Sequence, residues 1–229
     1  MLPVGTIVNT VAILGGGIIG LIIGRRFPEG MRNLVFQGLG LCVLIIGIQM
    51  ALKFTNPLLM IFSILLGGVT GEVLRLEQFF ASLGDRVKRL VGSSSSMFTD
   101  GMITASLLYC VGSMAILGSF DEGLRGDPTL LFTKSMLDGF ASIALASTYG
   151  IGVLFSAVPL FLYQFSLTMF ASMFREVITP GLVNELTAVG GLLIIGIGIN
   201  LMKLTYIRIS NLLPALGFIV VLALIFAEG

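Results

Sequence analysis

"SMLDGFASIALASTYGIGVLFSAVPLFLYQFSLTMFASMF", residues 135–174, carries no charged side chain after Asp138. As one helix these 40 residues would extend roughly 60 Å, twice the ~30 Å hydrocarbon core of a bilayer. Tilt absorbs a few residues of mismatch, not a second bilayer's worth. A break is required, and "TYGIG" at 148–152 supplies it with two glycines, the residue type that tolerates unusual backbone angles. Gly150 and Gly152 are the expected hinge. The reading is two passages, 135–149 and 151–174, with Pro159 in the second. Had the stretch crossed once, with a re-entrant segment, the whole chain would have seven spans instead of eight.

The rest of the chain is of the same kind. Hydrophobic residues make up 56% of it, charged residues 11%, and the mean hydropathy is +1.06. A soluble domain of this size carries about 25% charged residues, so too few are present to clothe a water-facing surface. Further charge-free runs lie at 1–24, 33–52, 54–71, 101–120, 186–202 and 209–227. Each is close to the ~17–25 residues that a crossing helix needs. The fold expected is all-α, a polytopic transmembrane helix bundle of about eight spans in a single domain, residues 1–229. The lipid bilayer is its first partner.

Several function classes drop out. The net charge of +1 offers no basic surface for nucleic acid. The chain has no histidine, the usual acid–base side chain near neutral pH. It also lacks a GxSxG elbow and a P-loop lysine, so neither an enzyme nor a cofactor or metal site is expected. Cys42 and Cys110 both fall inside apolar runs and read as small packing residues. The first run has no positive segment before it, and Arg25 and Arg26 follow it. It is expected to stay as a span rather than be cleaved.

Orientation follows the basic residues. Arg75, Arg86, Lys88 and Arg89 make the densest basic cluster, placing the 75–97 loop in the cytoplasm and the amino terminus outside a bacterial cytoplasmic membrane. Within that loop, Leu76, Phe79, Phe80, Leu83, Val87 and Leu90 recur at helical spacing, which predicts an amphipathic interfacial helix. "GSSSS" at 92–96 reads as a flexible joint between two halves. Span four then leads into a loop, "GSFDEGLRGDPTLLFTK" at 118–134, expected outside.

A shift of 151 positions lays "GMRNLVFQGLGLCVLIIGIQ" (30–49) on "GLVNELTAVGGLLIIGIGIN" (181–200). Gly40 meets Gly191, Gly47 meets Gly198, Asn33 meets Asn184 and Gln49 meets Asn200. With the 135–174 stretch crossing twice, the second copy starts from the opposite face. Residues 1–74 (spans one to three) and 151–229 (spans six to eight) then form an inverted repeat around the 75–97 linker and the central spans, 98–150. Secondary transporters are commonly built so, with the solute held at the repeat interface near mid-membrane.

Ionisable and amide side chains inside apolar runs are expensive and mark candidate sites. Asn9 lies several residues into the first run. Glu72 lies about a turn inside the cytoplasmic end of the third span, with Arg75 three residues on as a same-face partner. Asp100 and Asp138 head spans four and five, where a carboxylate also satisfies free helix-start N–H groups. Glu185 reads as a helix-start residue of span seven. Gln49 and Asn200 lie near matching span ends, and Thr104 and Ser142 are hydroxyls placed to wet a pathway. Gly16, Gly20 and Gly24 repeat every four residues, as do Gly67 and Gly71, giving smooth faces for helix packing within a monomer or across a homodimer.

The stretches "GTIVNTVAILGGG" (5–17), "QGLGLCVLIIGIQMAL" (37–52), "YCVGSMAILGSFDEGLRGDP" (109–128) and "KSMLDGFASIALASTYGIGVLFSAVP" (134–159) resemble the bacterial membrane family known as domain of unknown function 554, the YdfK/YqgA-like proteins. The similarity covers essentially the whole chain. It implies a multi-span inner-membrane protein described as a transport protein, and it implies no substrate and no site residues. Together with the repeat and the buried polar residues, the expectation is a secondary transporter or ion-coupled permease for a small solute or ion. A passive channel and a non-transporting scaffold or sensor are the alternatives.

Overall fold

Gly150 decides the 135–174 stretch. In the computed structural model, which describes residues 3–24, 29–93, 95–110, 113–174 and 179–226, helix α7 (Thr129–Tyr149) stops at Gly150, whose φ of 83° and ψ of −154° lie where only glycine is comfortable. Helix α8 (Gly152–Phe155) and helix α9 (Ala157–Met169) then run back. Their direction can be read from helix α1 (Val4–Gly24). Along α1, Gly16, Gly20 and Gly24 lie against the carbonyls of Gly139, Ile143 and Ser147 in that order, so α1 and α7 are parallel. Gly17 lies against Leu154, whereas Asn9 bonds Gln164, so α1 and α8–α9 are antiparallel. The stretch folds as a helical hairpin.

Two boundaries differ from the sequence reading. Helix α7 begins at Thr129 rather than 135; the Asp127 carboxylate accepts the Thr129 N–H at 3.0 Å and its hydroxyl at 2.6 Å and holds the turn that enters it. Lys134 is thereby drawn into the helix. Most of the expected 118–134 loop is also helical: helix α6 (Ser113–Arg125) continues through it and leaves only 126–128 as connection. Helix α5 (Phe98–Cys110) and α6 meet at 57°. Gly152 is not a hinge residue in its own right; a Cβ there would run into the Phe98 carbonyl, so its role is close packing.

The remaining helices are α2 (Glu29–Ala51), α3 (Pro57–Val73), α4 (Leu76–Val91), α10 (Ala171–Phe174), α11 (Pro180–Leu201), α12 (Ile209–Leu212) and α13 (Pro214–Phe226). No strand occurs among the described residues. The chain forms two compact units. One holds Met1–Val35 with Gly84–Arg175, the other Phe36–Leu83 with Glu176–Gly229.

In the first unit α1 is buried along its glycine face and exposes Val4, Val11, Ile18 and Ile22 on the other, as a lipid-facing helix does. The α1 glycines are therefore covered inside the unit. In the second unit Leu59, Leu182, Val189, Ala215, Ile219 and Ala223 build a core from α3, α11 and α13. Gly67 packs on Ala215 and Gly71 on the Asn211 carbonyl, so α3 and α12–α13 are antiparallel. Helices α2 and α11 also cross antiparallel. A Cβ on Gly47 would fall 2.9 Å from the Gly191 carbonyl oxygen, and one on Gly198 would fall 3.0 Å from that of Gly40.

Five elements are long and apolar enough to cross a membrane: α1, α7, α8–α9, α11 and α12–α13. The bent pairs α3–α4 and α5–α6 raise the count to seven. The eighth expected span is α2, of which the apolar portion Gly40–Ala51 is short. The bend between α3 and α4 turns at Arg75, whose φ is 53°, and α4 carries the amphipathic pattern expected of residues 76–91, with the basic Lys88 and Arg89 in its last turn.

Candidate functional site

Asn9 is wholly buried, and its Nδ2 donates to Asp138 Oδ2 at 3.0 Å and to Gln164 Oε1 at 3.2 Å. The Lys134 ammonium forms an ion pair with the same Asp138 oxygen. The four residues come from three helices of one unit: Asn9 from α1, Lys134 and Asp138 from α7, Gln164 from α9. Lys134 is 6% exposed and Asp138 7%, while Gln164 is fully covered. On the α5 side the Tyr109 ring lies 5.9 Å from Lys134 Nζ, within reach of a cation–π contact. Its hydroxyl shares a 2.7 Å hydrogen bond with Ser142.

Packing explains why these groups meet. The α1 glycines let the α1 backbone approach α7 closely, which brings Asn9 within reach of Asp138 on the tenth residue of α7. Asp138 is thus a mid-helix carboxylate, not one at a span mouth, because α7 starts earlier than the sequence reading had it. On α7 the lysine precedes the aspartate by four residues, the less favourable order against the helix dipole. Placing either charge mid-span costs about 2.5–3.5 kcal/mol on insertion scales. A buried pair of this kind is weak evidence for stability, so its presence calls for a functional account.

The cluster is not saturated. Asn9 Oδ1 and Gln164 Nε2 are buried with no hydrogen-bond partner among the described residues. They leave one acceptor and one donor beside a paired cation and anion. Chemically, the site presents both charge signs and both hydrogen-bonding senses to a small polar guest. Between α1 and α8–α9 a cleft of about 460 Å³ is lined by Thr10, Leu14, Leu154, Ala157 and Phe161 and by none of the four site residues.

The other candidates serve elsewhere. In the second unit Glu72 is exposed and binds Arg208 and Asn211, each at 2.8 Å, rather than Arg75 on its own helix face. The three groups wall an open cavity of about 400 Å³ with Arg75, Glu77 and Gln78. Glu185 lies in the second turn of α11 and is not a cap of that helix. Its Oε1 accepts the backbone N–H groups of Thr55 and Asn56, both at 2.8 Å, and so holds the entry to α3. Asn200 closes the turn after α11, accepting from the Ile207 N–H at 2.7 Å and donating to its carbonyl at 2.8 Å. Gln49 and Asp100 are exposed, Asp100 in the first turn of α5. Thr104 is buried and hydrogen-bonds Tyr149. Ser142 is the one candidate hydroxyl drawn into the Lys134–Asp138 neighbourhood, through Tyr109.

Lys134, Gln164, Tyr109 and Glu122 were not singled out from sequence. Gln164 carried the same signal as Asn9, an amide deep in a charge-free run. Lys134 and Glu122 were hidden by the loop assigned to 118–134; once that segment is helical, both are charged residues within helices and both are buried.

Comparison with known proteins places the chain. It is 38% identical over 216 residues to the "Uncharacterized membrane protein YdfK" of Bacillus subtilis (strain 168), covering 93% of this chain and 92% of that protein. It is 31% identical over 218 residues to the "Uncharacterized protein YqgA" of Escherichia coli (strain K12), covering 93% of each. No solved structure matches it. The model of the family described as "Protein of unknown function (DUF554)" matches residues 4–224, and the chain, a membrane protein with transmembrane helices, belongs to that family.

Proposed function

We propose that the protein is a secondary transporter or ion-coupled permease for a small polar solute or ion, with Asn9, Lys134, Asp138 and Gln164 as its binding site. The observation that carries this reading is the buried ion pair flanked by two half-satisfied amides on three helices. Such groups inside a membrane bundle line solute and ion pathways. A guest that takes the Asp138 carboxylate or the Lys134 ammonium breaks the pair, and the freed partner then biases which face the bundle opens to.

The α2–α11 crossing supports an inverted repeat as the frame for this motion. Under the 151-residue shift, Gly40 corresponds to Gly191 and Gly47 to Gly198. The contacts run Gly40 with Gly198 and Gly47 with Gly191, the reciprocal pattern of a two-fold interface. The bacterial cytoplasmic membrane, an external amino terminus and a cytoplasmic 75–97 segment complete the proposal. The scaffold alternative loses its main support, since Gly16, Gly20 and Gly24 are covered within their own unit.

The test begins with a thermal-shift screen of small solutes on the purified protein. A stabilising solute is then followed as radiolabelled uptake into proteoliposomes. Uptake driven by a proton or sodium gradient and lost in Asp138→Asn and Asn9→Ala supports the reading. Wild-type rates in both variants remove the site. Flux that ignores both gradients turns the reading to a channel, and tight liposomes turn it to a scaffold.

A further inference from the structure

A second set of buried polar atoms lies one helical turn from the Asn9–Gln164 contact. Because α1 and α9 are antiparallel there, one turn toward the start of α1 gives Thr6 and one turn toward the end of α9 gives Thr168. The two hydroxyls therefore fall at one level of the bundle. Glu122 reaches that level from α6. Its Oε1 accepts the N–H of Gly5, the neighbour of Thr6, at 2.6 Å. The next residue, Gly123, sits so close to α9 that a Cβ would run into the Thr168 carbonyl.

All three side chains are at least nine-tenths buried: Thr6 is 0% exposed, Glu122 3% and Thr168 4%. Glu122 Oε2 and both threonine hydroxyls have no hydrogen-bond partner among the described residues. Capping α1 accounts for Oε1 of the glutamate and leaves Oε2 unexplained. No cationic side chain pairs with Glu122 among the described residues; Lys134 is held by Asp138. An ionised carboxylate in an apolar interior requires a positive partner. Carboxylate and hydroxyl oxygens are the donors that hard cations take. Thr168 also lies in the last turn of α9, where free carbonyls and the negative end of the helix dipole favour a cation, an arrangement used for sodium in transporters with broken helices.

We propose that Glu122, Thr6 and Thr168 form a binding site for a single dehydrated sodium ion, separate from the Lys134–Asp138 pair. One carboxylate balances one positive charge, which favours a monovalent ion. The packing around it is close, since a Cβ on Gly5 would run into Leu131 and one on Gly123 into the Thr168 carbonyl, which favours a small one. As a coupling site this rests on the transporter reading above; as a binding site it does not.

The experiment uses the purified full-length protein in nanodiscs, with thermal melts and radiolabelled-sodium binding. Sodium chloride replaces N-methylglucamine chloride at constant ionic strength. The expected result is a saturable rise in melting temperature with sodium, smaller with potassium. Binding should be lost in Glu122→Gln, weakened about tenfold or more in Thr168→Val, and retained in Thr168→Ser and in Asp138→Asn. Should Glu122→Gln fail to fold, the Thr168 pair decides. Equal stabilisation by all three cations overturns the site, as do wild-type binding in both Glu122→Gln and Thr168→Val and stabilisation by acid with none by sodium. Sodium binding that depends on Glu122 in a protein that moves no solute upholds the site and sinks the transporter reading. Solute flux lost in Asp138→Asn, with no sodium binding, does the reverse.

Discussion

Asn9 and Gln164 meet amide to amide across antiparallel helices, Nδ2 of one 3.2 Å from Oε1 of the other, and each keeps one polar atom unpaired. A contact made only for packing would have used apolar residues, since unpaired buried amide atoms cost about 1–3 kcal/mol each. Replacing both residues by leucine should leave the helices associated. The expected outcome is a melting temperature at or above wild type together with loss of solute stabilisation, read in one thermal-shift experiment.

The Lys134–Asp138 pair should behave as a unit. Asp138→Leu alone strands a buried ammonium and is expected to cost about 3–5 kcal/mol, whereas Lys134→Met with Asp138→Leu should be close to neutral or stabilising. Denaturation of the single and double variants in detergent gives the comparison. Equal losses in both would mean that the two charges are not coupled.

Glu185 ties α11 to the segment before α3 through two backbone N–H groups. Glu185→Ala should destabilise the protein by about 1–3 kcal/mol by leaving those donors without their acceptor. The loss should appear as faster proteolysis or hydrogen exchange around residues 55–58. An unchanged exchange pattern there would argue against the anchoring role.

Asp127 is exposed, and the Thr129 hydroxyl, then the Thr129 backbone N–H, hold its carboxyl below the usual carboxylate range. A folded-state value below the unfolded one means that this contribution to stability is present above the unfolded carboxylate range. It is lost as pH falls through the folded value. Asp127→Ala should lower the melting temperature slightly at pH 7 and leave it unchanged relative to wild type in strong acid. A difference that persists in acid would assign the effect to something other than the Thr129 hydrogen bonds.

Much of the fold could be read from the chain because hydrocarbon imposes its lengths. The forced break near Gly150, the glycine stripes and the amphipathic 76–91 segment all follow from period and span length. Charged residues are a poorer guide to where a span ends. Starting a span at Ser135 because Lys134 precedes it, and closing one before Asp121 and Glu122, assumed that a charged residue belongs in water. Lys134 instead pairs with Asp138, and one oxygen of Glu122 accepts the Gly5 N–H. The first partner stands one helical turn away and shows once 129–149 is read as one helix; no sequence pattern announces the second, 117 positions away. Asn9 was legible because an amide has no reason to sit in hydrocarbon unpaired; Gln164, with the same credentials, lay in a stretch being read for its length.

The parallel seam between α1 and α7 also constrains the path of the chain, by parity. A chain that enters two neighbouring helices in the same direction must have crossed the membrane an odd number of times between them. If the bent pairs α3–α4 and α5–α6 each cross once, parity would require α2 to cross as well. On that count the hairpin at Gly150 and the two helical stretches after it would bring the total to eight. An even total returns the carboxyl terminus to the face from which the chain set out. Reporter fusions at the two ends should therefore light up on the same side.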